Sequence, residues 1–173
     1  ILKKAVLNNS VSFFIIDIRD YAYGQYRQID DTPFGGGSGM VLMAEPFIKA
    51  IDSTFIALGA DIDNTRVVYP SPQGKLWNQD HVLENVKVEN IIFICGRYKG
   101  IDQRIIDKYV THEYSLGDFV ISNGELGSMV IIDSILRFIP GTMNNIDSAL
   151  SDSFSNNLLD HPHYTKPRVI KGL

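Results

Sequence analysis

Short apolar runs, each about one strand long, alternate along this chain with segments of helical period. Thr65 to Tyr69 (TRVVY) and Asn90 to Cys95 (NIIFIC) are apolar and rich in β-branched residues, the pattern of strands covered on both faces rather than strands facing water. Val11 to Arg19 (VSFFIIDIR) reads as a further buried strand by the same criterion. Tyr21 to Thr32 reads as a loop, Pro70 to Gly74 as a turn, and His112 to Ser122 as strand and turn. Met40 to Leu58 reads as a helix interrupted near Pro46 and ended by Gly59, and Asp80 to Val86 as a short helix. Asp102 to Tyr109 is a second short helix with Asp102 as its cap. Glu125 to Phe138 is a helix stopped by Pro140-Gly141, with Leu126, Met129, Val130, Ile135 and Leu136 setting most of its apolar groups, and Asp133, on one side. Alternation of this kind predicts an α/β domain with a mostly parallel, covered sheet.

Composition narrows the classes. A chain of 173 residues fits one domain, or one domain with a tail. With 45% apolar and 21% charged residues it is neither a mainly disordered chain nor a fibrous rod. A net charge of -4 gives no general support for a nucleic-acid partner, although a local basic patch is compatible with it. A single cysteine excludes a disulfide framework and a Cys-based zinc site, and points to a reducing, cytoplasmic setting. The apolar runs are too short to cross a bilayer, so no membrane role is expected. Ile1 to Asn8 looks like the middle of a helix, without a signal-peptide cleavage pattern, and a natural N-terminus is expected upstream of it. Residues 143–157 are rich in Asn, Ser and Asp, the composition of a flexible linker. Residues 161–173 are locally basic and read as the start of a second unit.

Glycine placement is the best guide to chemistry. Of 14 glycines, 11 fall in five clusters, several directly after predicted strands. Ligands of open α/β sheets sit at the carboxyl ends of strands, where loops must let backbone approach the ligand. Three loops qualify: Tyr69 to Gly74, Cys95 to Gly100, and Ser115 to Gly124. Together they suit one small ligand; three ordinary tight turns would look the same. The run Asp30 to Gly39 (DDTPFGGGSG) is either a phosphate cradle or a flexible loop, and the chain has neither GxGxxG nor a P-loop. That absence argues against a nucleotide-dependent dehydrogenase. Asp152 and Arg137 could serve as a base and a stabiliser of negative charge, but each taken alone reads as a solvated charge. His161 and His163 lack an evident third metal ligand, so no metal site is expected and both read as loop residues. Cys95 reads as core. Tyr21, Tyr23 and Tyr26, with Arg19 and Arg27, suit either base stacking or a partly packed loop.

Five motifs then occur in order: DDTPFGGGSGM (Asp30 to Met40), YPSPQGK (Tyr69 to Lys75), CGRYKGIDQR (Cys95 to Arg104), SLGDFVISNGEL (Ser115 to Leu126) and DSILRFIPG (Asp133 to Gly141). With DSFSNNLLDHPHYTKP (Asp152 to Pro167), they closely resemble the bacterial tRNA (guanine-N1)-methyltransferases of the SPOUT family, over essentially the whole chain. The resemblance implies a SPOUT-type parallel sheet with helices on both faces and a C-terminal trefoil knot, which connection rules alone would have argued against. It implies a methyltransferase domain over 1–142 lacking its first strand, an interdomain linker over 143–160, and the start of a truncated helical tRNA-binding domain over 161–173. It implies an obligate homodimer whose active sites draw on both subunits, and methylation of N1 of guanine 37 in tRNAs where another guanine precedes it, which maintains the reading frame.

Carried over by position, the resemblance assigns S-adenosylmethionine, with S-adenosylhomocysteine as product, to Tyr69, Pro70, Ser71, Gly96, Tyr98, Ser115, Leu116, Gly117, Ile121, Asn123 and Gly124. Asp152 matches the general base and Arg137 its partner. Asp30, Asp31, Gly35, Gly36 and Gly37 match the loop that holds the target guanosine in the tRNA anticodon stem-loop. Magnesium is a family expectation only. Guanine N1 must lose a proton, which Asp152 can accept, while Arg137 can stabilise charge spreading towards O6. Two positions depart from the family pattern: Asn123 stands where GGEL usually has glycine, and Lys99 where GRYEG has glutamate. The linker also lacks the family's commoner residues. The alternatives are a SPOUT enzyme acting on another RNA position and a non-catalytic RNA-binding module; the Asp30 to Met40 loop and the Asp152 segment argue against the first.

Overall fold

The computed structural model describes residues 1–155 and 158–171. Residues 156 and 157 of the expected linker, and 172 and 173 of the expected C-terminal unit, lie outside the described residues.

The sheet that positions the site has three parallel strands. β3 (Thr65–Leu76) is central, with β4 (Asn90–Phe93) on one side and β5 (His112–Ser115) on the other. Alternate β3 side chains point to opposite faces, as a pleated strand requires. Val67 and Tyr69 join a core with Phe47, Ile51, Ile105 and Tyr109. Those partners come from α2 (Ala44–Leu58) and α4 (Gln103–Tyr109), which pack together on that face. Val68 joins Tyr114, Ile131 and Ile135 on the other face, where α3 (Gln79–Asn85) meets α5 (Gly124–Leu136). Val67 and Val68 are essentially inaccessible, and burying such a side chain contributes about 1.5–3 kcal/mol. The expected covered parallel sheet with helices on both faces is therefore present.

Local chemistry sets the helix ends. Asp102 accepts from Arg104 N at 2.9 Å and Asn78 from His81 N at 3.1 Å, each satisfying a free amide of a first turn. Gly59, left-handed at φ 61°, closes α2: its N–H reaches Ile56 O, and Ala60 N reaches Phe55 O. Pro46 does not interrupt this helix. α2 begins at Ala44, so Pro46 sits in the first turn, where its missing N–H has no intrahelical acceptor. The preceding residues are not helical: β2 (Val41–Leu42) pairs antiparallel with β1 (Asp30–Asp31).

Three further expectations are corrected. Val11 to Arg19 is not a strand. Residues 11–17 are irregular, Ile18–Tyr21 form a 3-10 turn, and Phe14 and Ile15 are 77% and 98% exposed. An apolar run becomes a strand only where another strand offers it a ladder, and among the described residues none does. The face α5 buries is not the expected one: Gly127, Ser128, Ile131 and Ile135 face the sheet, while Leu126, Met129 and Val130 are about half exposed. The small residues allow α5 to lie close to β3, which its larger apolar residues would prevent. Finally, the stretch 143–157 is not wholly irregular. It carries α6 (Ile146–Ser151), capped by Asn145, whose Oδ1 accepts from Asp147 N at 2.9 Å. At the other end of the chain, α1 (Leu2–Leu7) buries Ala5 and leads into Asn8 and Ser10, which donate to Gly141 O and Pro140 O.

Candidate active site

The three glycine-bearing loops converge at the carboxyl ends of the parallel strands. After Pro70 the pairing of β3 with β5 slips, so that Pro70 and Lys75 both face Tyr114 and residues 71–74 leave the ladder. The predicted turn is thus an excursion within one long strand. Ser71 is buried and its Oγ accepts from Gln73 N at 3.2 Å. The loop after β4 meets the loop after β5 through backbone: Gly124 N donates to Gly96 O at 2.8 Å, and Arg97 pairs antiparallel with Asn123. A Cβ on Gly124 would lie 2.7 Å from Gly96 N and 2.8 Å from Cys95 Cα. Glycine is required there by one loop passing against another. Gly96 faces the Tyr69 ring, where a Cβ would stand 2.9 Å from the hydroxyl. Burial pushes the Tyr69 phenol up, keeping it protonated. Ser115 Oγ accepts from Gly117 N and donates to Gly117 O, both at 3.2 Å, folding the third loop back on itself. Pro70 and Ile121 both lie against Gly127, Leu116 packs on the Val68 core, and Tyr98 is half exposed with φ 59°.

The 30–42 hairpin is stitched to this centre. Lys99 N donates to Met40 O, Leu42 N to Gly100 O, and Asp102 N to Leu42 O, all within 3.0–3.1 Å. Gly35, Gly36, Gly37 and Gly39 all have positive φ, which only glycine adopts freely. The first three have open space where a side chain would stand, whereas Gly39 lies under the Lys99 stem, 2.9 Å from Cε to its ideal Cβ position. Asp30 and Asp31 form the short first strand, with Asp31 Oδ1 accepting from Thr32 N. The structure thus joins the loop expected to hold guanosine to the loops expected to hold the methyl donor.

Arg137 and Asp152 form a second centre. Arg137 Nη2 donates to Asp152 Oδ2. They line a cleft of about 330 Å³ with Gln79, Ser134, Phe138, Ala149, Ser153 and Asp160. Trp77 Nε1 donates to Ser134 Oγ at 3.0 Å, tying the cleft wall to the sheet. This pair is not brought to the three loops of its own chain. Gly124 begins α5 and Arg137 caps its other end, which separates them by about 20 Å at 1.5 Å per residue.

The family model described as tRNA (Guanine-1)-methyltransferase TrmD matches residues 1–173. The chain belongs to this family. It is 48% identical over 170 residues to the tRNA (guanine-N(1)-)-methyltransferase of Buchnera aphidicola, covering 98% of this chain and 63% of that protein. The Listeria monocytogenes protein of the same name is 42% identical over 173 residues, covering all of this chain and 70% of that one. The Francisella philomiragia protein is 45% identical over 170 residues, covering 98% and 66%. The chain therefore spans about two thirds of the length of these relatives, and 63% of the Buchnera protein.

The two positions expected to depart from the TrmD pattern, Lys99 and Asn123, both lie where the loops meet. Lys99 lies on Gly39, so the substitution falls at the seam between hairpin and loop. Asn123 keeps its backbone extended at φ -159°, a conformation open to any residue. Its Oδ1 is buried without a hydrogen-bond partner among the described residues, and its backbone pairs with Arg97 where the two loops meet. Cys95 is a partly buried neighbour of Ser128, with Sγ and Oγ 3.4 Å apart, and burial pushes its thiol up. Of the aromatic candidates, Tyr21 donates to Ser53 Oγ at 3.0 Å, Lys49 Nζ lies 3.4 Å from the Tyr23 ring centre, and Tyr26 is exposed. That segment is a loop anchored through Tyr21, with the Tyr23 and Tyr26 rings largely exposed. Trp77 and Ser134 were missed from sequence, because their contact joins a strand end to a helix 57 residues away.

Proposed function

We propose that this chain transfers a methyl group from S-adenosylmethionine to N1 of guanine 37 in tRNAs whose preceding base is guanine, working as a homodimer in the cytoplasm. The observation that carries the reading is the split of the site: three converging loops at one end of α5, and Arg137 with Asp152 at the other. Two copies related by a two-fold axis can bring one chain's pair to the other chain's loops. The half-exposed Leu126, Met129 and Val130 on α5 supply an apolar face for that contact. The knotted topology implied by the family is supported by the 115–124 segment lying directly on the 95–100 loop.

The residues of the three loops suit the donor. Tyr69, Ser71, Gly96, Ser115, Gly117 and Gly124 belong to the three loops that meet at the strand ends, and the unpartnered Asn123 Oδ1 matches a ligand rich in N–H groups, as an adenine or an α-ammonium is. When bound, S-adenosylmethionine supplies a methyl group already activated on a sulfonium. The chain's own task is alignment and proton handling. Asp30, Asp31, Gly35, Gly36 and Gly37 hold the guanosine beside the loops. Asp152 accepts the N1 proton, and Arg137, already bonded to it, stabilises charge spreading towards O6. The domain division at 142 and 160, with a tRNA-binding unit beginning at 161, belongs to the same reading.

Single-turnover methylation, with protein in excess over tRNA transcripts, tests it. N1-methylguanine should form at position 37 of a transcript with guanine at 36 and 37, and not when 37 is adenine. An Asp152→Asn chain should be slower by about 10²–10⁴-fold. Methyl transfer to another position, or an undiminished rate with Asn at 152, would contradict the proposal.

A further inference from the structure

Behind Asp152 the chain places three metal-ligating groups together that sequence spacing left unconnected. Asp160 Oδ1 lies 3.0 Å from His161 Nδ1, and Asp160 Oδ2 lies 2.8 Å from His163 Nε2. One ligand atom from each of the three residues lies within 4.8 Å of the others. The two imidazole rings are 4.3 Å apart and tilted by 52°. Pro162 stands between the histidines and fixes one backbone torsion of the loop. Asp160 is itself held, its N–H donating to Ser153 Oγ at 2.9 Å.

We propose that Asp160, His161 and His163 bind one divalent ion of the Zn²⁺ class, tying this loop to the segment that carries Asp152. Ligands around a tetrahedral ion with bonds of 2.0–2.1 Å stand about 3.4 Å apart. The two Asp–His separations run to the two different oxygens of one carboxylate, and one ligand atom from each residue already lies within 4.8 Å of the others, so a turn of the carboxylate and rotation of the two exposed rings let all three share an ion. Two imidazoles and one carboxylate suit Zn²⁺, Co²⁺ or Ni²⁺, whereas Mg²⁺ and Ca²⁺ favour oxygen ligands. The side chains of His161 and His163 are 78% and 66% exposed, so the ion enters from solvent and keeps water in its remaining position. Asp160 also lines the cleft of Arg137 and Asp152. An ion fixed on it therefore orders the cleft wall, and its role is to position rather than to react.

The test needs neither tRNA nor methyl donor, so its result stands apart from the function proposed above. The chain has four histidines, His81, His112, His161 and His163. Titration with Co²⁺, followed by proton NMR of the imidazoles, should broaden His161 and His163 first while His81 and His112 stay sharp. Zn²⁺ competition against a chromophoric chelator should show one ion per chain. His161→Ala and His163→Ala should each weaken it about tenfold or more, and millimolar Mg²⁺ should not displace it. Both variants lie in an exposed loop, and circular dichroism checks that each is folded. Equal broadening of all four histidines, Zn²⁺ affinity unchanged in the double variant, or displacement by Mg²⁺ would each overturn the site.

Discussion

Asp102 shows how much one side chain can organise. Its carboxylate caps α4 through Arg104 N and forms two bonds to the Arg104 guanidinium, at 2.8 and 2.7 Å. Its own N–H meets Leu42 O, joining α4 to the hairpin. The Arg104 side chain holds the Asp102 carboxyl below the usual carboxylate range. A lowered folded-state value makes its stabilisation fully present above the ordinary range and lost as pH falls through the lowered value. Asp102→Ala should cost about 1 kcal/mol at neutral pH, and the difference in urea midpoint from the parent chain should shrink below about pH 4. A difference that persisted unchanged in acid would assign the cost to packing instead. This cap was legible in sequence, because a cap acts on amides two residues away. The partners of Asp160 were only half legible: the histidines stand out, but the turn that closes them on the aspartate does not.

Elements were legible where their cause is local. α3, α4 and α5, the left-handed stop at Gly59, and strands β3, β4 and β5 all follow from periodicity, caps and β-branched runs. The failures share a physical origin, since pairing and burial are settled by distant chain. Val11 to Arg19 has the composition of a strand without a neighbour to pair with. Val41 and Leu42 sit in a helical pattern but pair with Asp30 and Asp31. α5 turns its small residues inward because the sheet comes close there, a choice that apolar spacing does not reveal. The β3 excursion is the sharpest case of close approach. A Cβ on Gly74 would lie 2.4 Å from Tyr114 N and 2.5 Å from Glu113 C, both backbone atoms that cannot rotate away. Gly74→Ala should destabilise the chain by about 1–3 kcal/mol, read as a lowered urea midpoint. Gly35→Ala, with open space but positive φ, should cost less. A cost at Gly74 no greater than that at Gly35 would show that β3 and β5 move apart easily enough to admit a methyl group.

At the scale of the molecule, the two proposed half-sites lie at opposite ends of one helix, and the motif order that marks the TrmD family says nothing about that separation. It follows from the length of α5, and it makes the second copy part of the proposed chemistry. Mixing two variant chains tests this: Asp152→Asn, which lacks the proposed base, and Gly117→Val, which distorts a loop where glycine holds φ 144°, each expected to be inactive alone. A random mixture should regain about a quarter of parental methylation, because half the dimers are mixed and each has one undamaged site of its two. No recovery, with exchange of subunits demonstrated, would place the whole site within one chain. Beneath both centres lies the claim that the loops after β3, β4 and β5 form one cofactor pocket. Calorimetric titration of the 173-residue chain with S-adenosylhomocysteine tests it most directly. Saturable heat that Gly117→Val abolishes is expected; a folded parent chain that gives no heat, or a Gly117→Val chain that binds as the parent does, would rule out a shared pocket.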